Sequence, residues 1–227
     1  MSDNFVNRPS DTAELEQYLL PPPGSRPSGR RIFILHGLGG MGKTQLAVDF
    51  ARRHHAVFSS IFWLDGRSED RLRQSLASCA IRIPKDQIPD RTRHSVLESQ
   101  DELDIAVADV LGWLAQPDNV EWLLIFDNVG QDYRQDCAIG TYDVRRYIPG
   151  DHGSVLITTR LTLLAQLGGS KRLKKVDKEL GRTIFQKWYK DELGRTLTAC
   201  GFQLHTDYLQ LWTRPAMNCL HSWMACR

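Results

Sequence analysis

The eight residues Gly37-Leu38-Gly39-Gly40-Met41-Gly42-Lys43-Thr44 carry most of the chemistry of this 227-residue chain. Their spacing is that of a phosphate-cradling loop, G-x-x-x-x-G-K-[ST], with Gly37, Gly42, Lys43 and Thr44 at the specified places. Glycines let main-chain amides close around a polyphosphate, and Leu38, Gly39, Gly40, Met41 and Gln45 extend that run of amides. The Lys43 ammonium would reach the β- and γ-phosphates, and the Thr44 hydroxyl is a hard oxygen ligand for Mg²⁺. A carboxylate must complete the metal site, and Asp127 follows directly after the apolar run Trp122-Leu-Leu-Ile-Phe126. A strand-capping aspartate is common by itself; coupled to the glycine loop it becomes the Mg²⁺ partner, largely through water, since Mg²⁺ sheds its hydration shell reluctantly. The next residue is Asn128, where many vigorous ATPases place a carboxylate. A neutral amide cannot take the proton of an attacking water, and such assistance is worth ~10²–10⁴-fold in rate. Hydrolysis is therefore expected to be slow, with Asp127 the sole candidate for a catalytic part. Arg160 ends the run Gly153-Ser-Val-Leu-Ile-Thr-Thr-Arg160. At the carboxyl end of a parallel strand it would face the ligand crevice and could distinguish ATP from ADP through the γ-phosphate. The plainer reading is an exposed arginine at a strand end.

These groups need strands and helices to place them. Arg31–Leu35, Ser60–Asp65, Trp122–Phe126 and Val155–Thr159 are short runs with apolar residues at consecutive positions, as burial on both faces demands. After the glycine loop, Leu46, Ala47, Phe50 and Ala51 share one helical face, which puts a helix N-terminus at the anion. Leu72, Leu76 and Ala80 mark another helix, and Leu103, Ala106, Val107, Val110, Leu111 and Leu114 a further one, ended by Pro117-Asp118-Asn119. Ahead of the first strand, Asp11 and Glu14 resemble a capping box on a helix carrying Leu15, Tyr18 and Leu19, stopped by Pro21-Pro22-Pro23. The Pro, Asp and Arg content of residues 83–99 suggests a surface loop. Beyond Lys171 the pattern is helical, with Leu180, Ile184, Phe185 and Trp188 on one face. Alternating strands and helices imply parallel βαβ units.

Composition narrows the function classes. With 29 basic and 27 acidic residues the charges nearly cancel, and the basic pairs are scattered, which argues against a nucleic-acid or membrane surface. Five cysteines follow neither zinc nor disulfide spacing. The sequence shows neither a secretory leader at its start nor a run of ~18 apolar residues, so a reducing, cytoplasmic location is expected.

The chain resembles the NB-ARC nucleotide-binding module of the STAND class of P-loop NTPases, in wording closest to fungal NOD-like receptors. The resemblance rests on Gly37–Thr44, Ile61-Phe-Trp-Leu-Asp65, Trp122-Leu-Leu-Ile-Phe-Asp-Asn-Val129 and Gly153–Arg160, and runs from about Phe5 to Leu197. It implies an α/β fold: a three-layer sandwich around a central parallel sheet, followed by a short, incomplete helical region. The organisation expected is an N-terminal segment over residues 1–30, a nucleotide-binding domain over 31–168, the start of a helical region over 169–197 and an atypical tail over 198–227. It implies that the Arg160 strand lies between the glycine-loop strand and the Asp127 strand, making Arg160 the sensor of the γ-phosphate. It further implies that Val6 and Arg8, within Phe5-Val6-Asn7-Arg8, embrace the nucleotide. Asn7 stands where the family has glycine, and asparagine tolerates left-handed backbone better than most residues. The ligands implied are ADP or ATP with Mg²⁺, and intact relatives self-associate through this domain.

The resemblance ends where the family continues into Gly-Leu-Pro-Leu-Ala, so the chain reads as truncated within its helical region. Residues 198–227 follow no clean period. One reading is a divergent final helix. A sharper one is a frameshift or misplaced splice junction, since Thr206–Arg214 can encode Gly-Leu-Pro-x-Ala-Leu-Asp-Gln-Ala one frame away. The sequence thus favours an adenine-nucleotide switch module with slow hydrolysis. Its rivals are an active ATPase or small-molecule kinase, which would need Arg67, Arg71 or Arg73 as lid arginines, and an inert receptor fragment.

Overall fold

A strand buried on both faces has nowhere to sit except between two layers of helices, and the chain supplies both. In the computed structural model, residues 8–21, 29–93, 99–130, 142–176, 181–183 and 186 are described. The elements run α1 (Pro9–Leu19), β1 (Arg31–His36), α2 (Lys43–Arg53), β2 (Ser60–Asp65), α3 (Glu69–Cys79), α4 (Gln100–Leu114), β3 (Trp122–Val129), β4 (Ser154–Thr159) and β5 (Gly169–Arg172). The strands form one parallel sheet in the order β2-β3-β4-β1-β5. β4 lies between β3 and β1, the order the sequence resemblance implied.

Strand alternation divides the core. Phe62, Leu64, Leu124, Phe126, Val155, Ile157 and Ile34 join Leu72 and Leu76 of α3 and Val110 and Leu114 of α4 in one apolar cluster. The intervening strand residues Phe33, Leu35, Leu123, Ile125 and Leu156 are also buried, as are Leu15 and Leu19 of α1 and Leu46 and Phe50 of α2. Successive strand residues point to opposite faces, so α3 and α4 cover one face and α1 and α2 the other. The result is the three-layer α/β sandwich that the sequence implied.

Several local expectations are corrected. α1 has no side-chain cap: it begins at Pro9, whose missing N–H suits a first helical position, and Asp11 lies inside the first turn. Asp11 and Glu14 instead hold Lys171 of β5. The true capping box belongs to α4, where Ser99 accepts from the Glu102 amide and the Glu102 carboxylate accepts from the Ser99 amide. The stretch after α3 is not simply surface, because Ile83 and Ile88 are buried in the main cluster and Thr92 is buried as well. Strand β3 runs three residues past Phe126. Residues 169–172, placed by the resemblance at the start of a helical region, form β5 beside β1. The polar sequence Gly-Ser-Lys-Arg hides this edge strand, whose side chains need only partial burial.

The compact unit containing the sheet spans Asn7–Val176. Of the other unit, residues 181–183 and 186 are described, and they are helical, as expected. The expected motif residue Val6, the face formed by Leu180, Ile184, Phe185 and Trp188, and the atypical tail 198–227 lie outside the described residues. Among the described residues no helix is long and apolar enough to cross a membrane.

Candidate nucleotide site

The glycine loop joins β1 to α2 at the carboxyl end of the sheet, where its conformation depends on glycine at specific points. Gly42 is the N-cap of α2 at φ 85°, and Gly40 has φ 75°. The first helical hydrogen bond runs from the Leu46 amide to the Gly42 carbonyl at 2.9 Å. The amides of Lys43, Thr44 and Gln45 therefore precede the helical ladder and form a ready anion cradle. At the other end of the loop a Cβ on Gly37 would lie 2.8 Å from the carbonyl oxygen of Leu173, the residue after β5, so the chain leaving β5 closes down on the loop's first residue.

Lys43 folds back over the loop, its ammonium donating to the carbonyls of Gly37 at 2.8 Å and Leu38 at 2.9 Å. Burial holds this ammonium below its ordinary pKa; Arg160 pushes the same way and Asp127 opposes. A Cβ built on Gly39 would meet Nη2 of Arg160 at 3.2 Å, so the guanidinium lies over the loop. Arg8 approaches from the N-terminal side, donating to the Met41 carbonyl at 2.9 Å and the Lys174 carbonyl at 3.4 Å. Three cationic side chains thus surround one short glycine loop.

Asp127 meets this group from β3. Its Oδ1 accepts from the Thr44 hydroxyl at 2.9 Å and from the Thr158 hydroxyl at 2.6 Å. The 2.9 Å contact between Thr44 Oγ1 and Asp127 Oδ1 is a hydrogen bond, which suits a hydroxyl that would ligate Mg²⁺ beside a carboxylate that would reach it through water. Among the described residues no cluster of three His, Cys, Asp or Glu side chains is suited to hold a metal. A hydroxyl with one carboxylate is nevertheless a sufficient protein share for Mg²⁺, which takes its remaining ligands from phosphate and water.

The structure brings Gly37 to Gln45, Asp127, Arg160 and Arg8 to one end of the sheet. It also shows residues that sequence reasoning missed. Thr158, buried at the end of β4, accepts from the Asn128 amide at 2.8 Å while donating to Asp127. Beside it the buried Thr159 hydroxyl donates to the Val129 carbonyl at 2.6 Å. The two hydroxyls that end the otherwise apolar run Val155–Thr159 were the available signal, because a buried hydroxyl must find a partner. Asp65, which pairs with Asp127 in strand register, holds Arg67 and Arg71. The hydrogen bond from Arg67 brings the Asp65 carboxyl down to about 2. Arg73 is paired with Asp104.

Neither the protein-family models nor the curated proteins give a match to the chain. Among solved structures it is similar to the Cdc6p protein of Pyrobaculum aerophilum, with TM-score 0.50 and 15% identity over 84% of this chain and 52% of that one. It is also similar to a signal-transduction ATPase with numerous domains from Pyrococcus horikoshii, which carries a tetratricopeptide repeat sensor. There the TM-score is 0.46 and the identity 16% over 87% of this chain and 28% of that one. The chain thus spans about a quarter to a half of the length of these structures. Strand order, layers and loop define the architecture as that of a P-loop NTPase.

Proposed function

We propose that this chain is an adenine-nucleotide-binding switch module of NB-ARC type, holding ADP or ATP with Mg²⁺ and hydrolysing slowly or not at all. The observation that carries the reading is the meeting of the Thr44 hydroxyl and the Asp127 carboxylate beside the Lys43 ammonium at the mouth of the glycine loop. In this reading Gly39 to Gln45 surround the phosphates with amides, Lys43 and Arg160 neutralise them, and Arg8 closes over the nucleotide from the N-terminal side. Thr44 and Asp127 hold Mg²⁺, whose chemistry is to neutralise and orient the phosphate oxygens. Arg160 reads the terminal phosphate, so that one phosphate tilts a two-state equilibrium; couplings of ~1–3 kcal/mol are typical of such switches. A cytoplasmic setting and self-association through this domain belong to the same reading.

The kinase reading has less support. It needs free lid arginines, and Arg67 and Arg71 are tied to Asp65 while Arg73 is tied to Asp104. Mass analysis of nucleotide released from the purified protein, with titration of Mg-ADP and Mg-ATP, tests the proposal. Retained or saturable adenine nucleotide without acceptor-dependent turnover is the expected result. A folded protein that takes up neither nucleotide rejects it.

A further inference from the structure

β3 carries one extra residue where it passes β4. Phe126 pairs with Ile157 and Val129 with Thr159, so Asp127 and Asn128 together stand opposite the single residue Thr158. This is a β-bulge, and such bulges sit by preference next to active sites, where they re-aim a side chain. Asn128 pays for it in backbone conformation: at φ 63° it is the one non-glycine among the described residues in the left-handed region. Asparagine tolerates that region; glutamate and other longer side chains do so poorly. Thr158 holds both halves of the bulge with one oxygen. Its hydroxyl donates to Asp127 Oδ1 at 2.6 Å and accepts from the Asn128 amide at 2.8 Å. The Thr159 hydroxyl closes the far side on the Val129 carbonyl.

We propose that Thr158 is the positioning residue that fixes Asp127 through this bulge, and that the left-handed backbone at residue 128 itself disfavours a water-activating glutamate at that place. The inference deepens the nucleotide-binding reading and rests on it for its ligand half. A general base must first satisfy geometry, reaching the attacking water at hydrogen-bonding distance. A glutamate at 128 must either remain in a conformation it disfavours or flatten the bulge. Flattening breaks the Asn128-to-Thr158 bond and releases Asp127. The main chain as well as the side chain at residue 128 therefore stands against a glutamate base, and introducing that glutamate does not restore hydrolysis.

The test uses the full chain and the variants N128G, N128A, N128E, T158V and T158S. Melting without nucleotide judges the backbone alone: N128G should melt at or above N128A, since only glycine is free of strain at this φ. The opposite order overturns the left-handed assignment, whether or not nucleotide binds. Titration of ATP with and without Mg²⁺ judges the positioning. T158V should lose at least tenfold of the Mg²⁺-dependent gain in ATP affinity, while T158S, which restores the hydroxyl, should stay within threefold of wild type. A T158V protein losing less than tenfold overturns the role of Thr158. N128E should release phosphate from ATP at no more than threefold the wild-type rate, and any larger rise overturns the exclusion of glutamate. Wild-type protein that binds no ATP at all condemns the nucleotide reading instead, and the glycine–alanine order still decides the strain.

Discussion

Replacing Lys43 with alanine separates folding from ligand binding more cleanly than any other single change. In the structure the ammonium donates to the Gly37 and Leu38 carbonyls at 2.8 and 2.9 Å. Both carbonyls lie in a partly exposed loop where water can replace the donor, and Lys43 is itself opposed by burial and by Arg160. The substitution should change the stability of the ligand-free protein by ~1 kcal/mol or less, as an exposed hydrogen bond does. A lost charge-assisted bond to phosphate costs ~1.5–3 kcal/mol, and at the upper end the dissociation constant rises on the order of 100-fold. With Mg-ATP at ~100 times the wild-type Kd, the wild type gains ~2.7 kcal/mol; the variant, near its own Kd, gains ~0.4 kcal/mol. For a chain of this size 1 kcal/mol shifts Tm by ~2–4 °C, giving an increment of roughly 5–11 °C for the wild type and ~1–2 °C for the variant. Thermal melting at one ligand concentration reads the difference, and calorimetric titration checks the affinities. Equal increments in the two proteins would mean that Lys43 does not grip phosphate, and the loop assignment would fail.

Other perturbations probe the remaining parts. Arg160→Ala should weaken ATP tenfold or more, about 1.4 kcal/mol, with ADP changed less than threefold; equal losses in parallel titrations would remove its sensing role. His36 is buried with Nδ1 unpartnered, and burial, then Arg172 and Lys43, hold its pKa below 6.5. The folded state therefore binds fewer protons than the unfolded chain once pH drops below 6.5, so stability falls with acidification through that window. His36→Gln should flatten the profile of Tm against pH there, and an unchanged slope would show that His36 contributes nothing to it. Ser99→Ala removes the capping box of α4 and should cost ~1 kcal/mol, or ~2–4 °C in Tm, without altering nucleotide affinity. A fall in affinity would tie the α3–α4 layer to the site.

Strands β1 to β4 and the glycine loop were legible because each obeys a local rule. An apolar run such as Trp122–Phe126 has one physical use in a chain of alternating strands and helices, and the loop's glycines answer to backbone geometry that α2 imposes. What escaped depends on neighbours distant in sequence. β5 is polar and pairs only because β1 offers an edge, so no periodicity marks it. The bulge at Asp127–Asn128 exists only in the pairing of β3 with β4, and residues 126–129 read alone look like a strand running into a turn. Asp11 illustrates the converse error: three-residue spacing to Glu14 mimics a cap, while both carboxylates answer to Lys171, some 160 residues away. The charges at the site were visible as residue types, but the placement of Arg160 over Gly39 needed the strand order.

α1 is fastened at both of its ends. Arg8 grips the Met41 carbonyl at 2.9 Å at one end, and at the other the Leu19 carbonyl accepts from Ser154 at 3.0 Å. Between them lie 11 helical residues, a rod of about 16 Å. Tension applied upstream of Arg8 would arrive at the crown of the glycine loop as a tug on one carbonyl. In return, a loop stiffened around its cargo would hold the Arg8 end of the rod still, so a neighbour attached there would feel loading as a change in slack.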